Sequence, residues 1–90
     1  MVKDYFSTLT EYGEVIKMIE RAREEDTEIE IVFAAREERV YRIDDAAVSV
    51  GSKGNHTNFI LSSRTRENIT SAKSRLNEII ESKLVEGVMI

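Results

Sequence analysis

The hydrophobic period of this chain changes twice, and that constrains its fold more than any other feature. Ile69, Ala72, Leu76, Ile79 and Ile80 fall within an arc of about 100°, as a helix with one core-facing side requires. Leu9, Tyr12, Ile16, Ile19 and Ala22 recur at three- and four-residue spacing and mark a second helical face near the N-terminus. Between them the period is two. Ile29, Ile31 and Phe33 alternate with Glu28, Glu30 and Val32, and β-branched content makes this a strand with one buried face. Ala46, Val48 and Val50 form another such set, and Phe59 and Leu61 a third.

Local signals divide these segments. Thr8 followed by Glu11 fits a capping box, so the first helix is expected to begin there, with at most a short extended piece, "MVK", before it. "VYRI", Val40 to Ile43, reads as a strand, although residues 35–43 also have good helix propensity. Asp44 and Asp45 favour a turn, and "GSKGN" is a glycine-rich turn. Ser63 or Thr65 can cap the last helix, and Gly87 can stop it. The expected fold is therefore α+β: a three- to four-stranded antiparallel sheet, with an N-terminal and a C-terminal helix packed on one face. Ninety residues make one small domain, 1–90.

Composition narrows the function classes. The chain has 41% hydrophobic and 33% charged residues, which suits a soluble globular protein. It has no cysteine, and so no disulfide and no thiolate site. No apolar run approaches a membrane span, and "MVKDYFSTLT" lacks the pattern of a signal peptide, so a cytoplasmic location is expected. The Asn55 and Asn68 glycosylation patterns then read as chance. Net charge is −4, with residues 1–45 at −6 and residues 46–90 at +2. An acidic chain repels phosphate at long range, so a nucleic-acid site would have to lie in the second half.

The stretch "TEYGEVIKMIERAREEDTEIEI", Thr10 to Ile31, resembles the middle of a type I KH domain, a small module that binds RNA and single-stranded DNA. That family has a G-x-x-G loop leading into a helix with isoleucines at the spacing of Gly13, Ile16 and Ile19. A turn and an I-x-I strand follow, as at Ile29 and Ile31. "FILSSRTRENITSAKSRLNEII" resembles the strand and helix that end such domains. The loop is degenerate here. Thr10 replaces the first glycine, which normally lets the two backbones approach, and Glu11 adds an acid. The opening strand is shrunken, and about 25 residues separate the matching strands. "TEYG" thus reads as a helix start rather than a working clamp. The true G-x-x-G, Gly51 to Gly54, runs into a strand and reads as a hairpin turn.

Two function classes remain. The first is a small non-enzymatic protein-interaction module, an adaptor, regulator or inhibitor. It would meet a basic partner through Glu24, Glu25, Asp26, Glu37, Glu38, Asp44 and Asp45. The second, implied by the resemblance, is a single-stranded RNA or DNA binder. Its candidate contacts are Arg64 and Arg66 at the start of the last helix, with Lys53, Lys73 and Arg75. Tyr41 and Phe59 could stack on bases if their sheet face were open. A His56 site with Asp44 or Asp45 would need distant segments to converge. No cofactor or metal motif is present, and no enzyme is expected. The apolar end, Val88, Met89 and Ile90, offers a contact for homo-oligomer formation.

Overall fold

The structure is a computed structural model that describes residues 1–81 and 84–86. Its elements are β1 (Val2–Thr8), α1 (Tyr12–Glu25), β2 (Glu30–Ala34), β3 (Glu38–Ile43), β4 (Ala46–Lys53), β5 (His56–Ser63), α2 (Arg66–Ile80) and β6 (Val85–Glu86). The class is α+β, but the sheet has six strands rather than three or four, in the order β2-β3-β4-β5-β1-β6. Every neighbouring pair is antiparallel. The contact expected of Val88 to Ile90 lies outside the described residues.

The largest departure is β1. Thr8 ends a seven-residue strand and does not cap α1. Glu11 is the residue before α1, and its side chain makes no capping bond. Leu9 is 89% exposed, so α1 buries Val15 and Ile19 instead of starting its stripe at Leu9. β1 pairs with β5 along its whole length, from Val2 opposite Ser63 to Thr8 opposite Thr57.

Residues 38–43 are strand, which resolves the ambiguity of that segment. The three strands β3, β4 and β5 are joined by tight two-residue turns. Asp44 and Asp45 have φ of 49° and 61°, as a turn with two left-handed central residues needs. Gly54, at φ 62°, opens the turn between Lys53 and His56. Aspartate tolerates the left-handed region poorly compared with glycine. Asp45→Gly is therefore expected to stabilise the fold by about 0.5–1 kcal/mol, read as a higher urea midpoint at unchanged slope.

β2 departs from simple alternation. Ile31 lies opposite Tyr41 but Phe33 lies opposite Val40, so Val32 is an extra residue in a β-bulge. The bulge turns the strand over. Ile29 is buried, Ile31 is half-buried, and Phe33, expected on the same buried face, is 50% exposed.

One cluster gathers the core. Phe6, Tyr41, Ile43, Ala46, Val48, Val50, Phe59 and Leu61 come from alternate strand positions. They meet Val15 and Ile19 of α1 and Ile69, Ala72, Leu76 and Ile80 of α2. Thr65 caps α2 by accepting from the Asn68 N–H. The helix ends at Ile80, where Glu81 is left-handed, several residues before the stop expected at Gly87. No helix among the described residues is long and apolar enough to cross a membrane.

Candidate interaction surface

The strand positions that alternate with the core line the other face of the sheet. Pairing register places Phe33, Val40, Ser49, Ile60 and Tyr5 side by side, one from each of β2, β3, β4, β5 and β1. Tyr5 and Phe33 are half exposed at the two ends of this row, and Ile60 is 38% exposed inside it. Val40 and Ser49 are half-buried. On one side of the row lie Glu38, Gly51, Asn58 and Ser7, and on the other Arg42, Ala47, Ser62 and Lys3. The centre is thus floored by small side chains, with an aromatic ring at each margin. Few ions touch it: Arg42 pairs with Glu30 at 3.3 Å, and Ser49 donates to Glu38 at 3.1 Å.

The five basic residues singled out in the sequence do not form one patch. Lys53 ends β4 beside the turn to β5, at the opposite end of β5 from Arg64 and Arg66. Arg66 pairs with Asp4 of β1. The Lys73 ammonium lies 4.3 Å from the centre of the Phe6 ring. Arg75 bridges Asp26 at the end of α1 and Asp44 in the β3–β4 turn. Arg64 is exposed.

The acidic set also divides. Asp26 and Asp44 share Arg75, and Ser71 donates to Asp44. The Glu28 backbone N–H, with help from Arg75, holds the Asp26 carboxyl below its ordinary value. Glu37 and Glu38 stand at the other end of β3 from Asp44 and Asp45. Glu24, Glu25, Glu37 and Asp45 are exposed. His56 and Asp44–Asp45 lie at opposite ends of β4, so they do not converge. Among the described residues no three His, Asp or Glu side chains gather as metal ligands.

Tyr41 and Phe59, weighed as stacking platforms, are fully buried in the core. The Tyr41 hydroxyl donates to Glu20 at 2.7 Å, where Arg23 and Arg39 also bind, at 2.6 and 3.1 Å. Burial would raise the Glu20 carboxyl, but the hydrogen bonds from Tyr41 and Arg23 hold it below its usual value. Burial pushes the Tyr41 hydroxyl up to about 12. This group joins α1 to β3.

The row Phe33–Val40–Ser49–Ile60–Tyr5 was not singled out from the sequence. Tyr5 carried no signal because its strand was not recognised, and Phe33 is outward only because of the bulge. Ile60 alone carried a signal, a branched apolar residue out of phase with Phe59 and Leu61. No protein-family model, no curated protein and no solved structure matches this chain.

Proposed function

We propose that this chain is a small non-enzymatic interaction module, an adaptor, regulator or inhibitor, that docks through the bare face of its sheet. In this reading both helices pack on the opposite face. What supports it is the row Phe33, Val40, Ser49, Ile60 and Tyr5, apolar but for Ser49, in which Phe33, Ile60 and Tyr5 are exposed. Exposed large apolar side chains gathered on one face and rimmed by polar residues mark a contact site. Exposed Glu24, Glu25 and Glu37 lie off this face and suit long-range steering of a basic partner.

A photo-crosslinking amino acid at position 60 tests the reading, with the same group at Thr70, exposed on α2, as the control. A discrete product from position 60 and none from position 70 is expected. No product from position 60, or equal products from both, would count against a docking face.

A second reading is favoured by one observation. Tyr5 and Phe33 share their face with Lys3, Arg42 and Lys53, a combination that single-stranded nucleic acid can use by stacking and phosphate contact. Fluorescence anisotropy of a labelled short RNA at low and moderate salt decides it. Salt-sensitive binding that is lost on replacing Tyr5 and Phe33 with alanine would support this class, and no binding at low salt would remove it.

A further inference from the structure

We infer that the occupant of the open sheet face is a second copy of this chain, packed face to face about a two-fold axis that runs along the apolar row. The inference rests on the docking-face reading and names the partner.

Its basis is the placement of charge around the row. On β3, Arg42 and Glu38 stand two residues to either side of Val40. On this strand an acid on one side is matched by a base at equal distance on the other. A two-fold axis along the row exchanges the sides. Each strand then crosses its own copy in the opposite direction. Arg42 comes over Glu38 of the second copy, and symmetry repeats the pair. An isologous contact requires such self-complementarity.

The apolar row lies on the axis and meets itself. Tyr5 and Phe33 at the margins and Ile60 within it lose their water. The small floor of Ala47, Ser49, Gly51 and Ser62 lets two sheets approach to the usual separation of about 10 Å. Five strands at about 4.8 Å and three rows of outward residues give a flat footprint of roughly 500 Å². Side-chain relief brings the accessible area toward the roughly 800 Å² per partner of a standard specific interface. Lys3 and Glu30 lie at the rim, where solvent screens them.

Sedimentation velocity on the purified chain tests the inference. A dimer is expected at micromolar concentration, with Ile60→Glu and, independently, Ser49→Arg raising the dissociation constant at least about tenfold while circular dichroism stays unchanged. Glu38→Arg and Arg42→Glu should each weaken the dimer, and the two together should restore it, because the pair is re-formed with its polarity reversed. A wild-type chain that stays monomeric at the highest soluble concentration overturns the second-copy inference. So does a dimer indifferent to Ile60→Glu and Ser49→Arg. The docking-face reading fails separately. A monomer whose position-60 crosslink yields a heavier product with another protein or with RNA keeps the face and discards the second copy. A monomer with no such product loses both.

Discussion

Phe59→Ala is expected to cost about 3–5 kcal/mol and to lower the urea midpoint sharply. Phe59 is fully buried at the middle of β5, with Phe6 opposite it on β1 and Val50 opposite it on β4. Truncation opens a cavity where strands and helices meet, and neighbours on a hydrogen-bonded sheet cannot collapse into it. A chain of this size has a total stability of about 5–13 kcal/mol, so the loss is a large fraction of it. Ile60→Ala is the internal control. It changes the next residue on the same strand but the opposite face, and should cost the monomer about 1 kcal/mol or less. Urea titrations of both variants, followed by circular dichroism, check the pair. Equal midpoints would mean that the two faces are not buried as described.

The second large effect concerns Glu20. Glu20→Ala is expected to destabilise by about 2–3 kcal/mol, because it strands the Tyr41 hydroxyl in the interior beside two guanidinium groups. Tyr41→Phe removes only the donor, leaves Glu20 with Arg23 and Arg39, and should cost about 1 kcal/mol. The two variants also differ in their pH dependence. The Tyr41 hydroxyl is raised to about 12 in the folded chain, against an ordinary value of 10.0. Its contribution is fully present below pH 10.0 and is lost as pH rises through about 12. Glu20 has the opposite sign. Its folded value is lowered, so its contribution is present above the ordinary value of 4.5 and is lost as pH falls through the lowered folded value. Burial also raises the Tyr12 hydroxyl, so stability measured against pH should show a larger alkaline loss in the wild type than in Tyr41→Phe. An identical alkaline limb in both would separate Tyr41 from Glu20.

Much of the fold was legible because its cues are local. The stripe of α2, its Thr65 cap, the Asp44–Asp45 turn, the glycine turn and the inward faces of β4 and β5 each rest on residues a few positions apart. β1 was hidden because it breaks the hydrophobic alternation. Asp4 shares its side with Phe6 and Thr8, while Tyr5 faces water. An acid is tolerated there because Arg66, from the other end of the chain, pairs with it. The bulge at Val32 has no glycine or proline to announce it. The candidate surface was legible only in fragments. Its row depends on the register of five strands, and two of its members depend on the features just named. The acids and bases chosen from sequence were separated by distance in the fold. Arg75, Asp26 and Asp44 come from three segments that only tertiary structure brings together.

The bulge has one more consequence, for where assembly stops. A sheet offers its lateral borders as well as its faces, and an unguarded border recruits strand after strand without limit. Here one border is β6, two residues long among the described residues. The other is β2, distorted at Val32 and carrying Glu30. Neither makes a straight template for backbone pairing. A chain with so much apolar surface on its sheet can therefore associate through the face and finish at a closed pair, instead of growing sideways into a fibre.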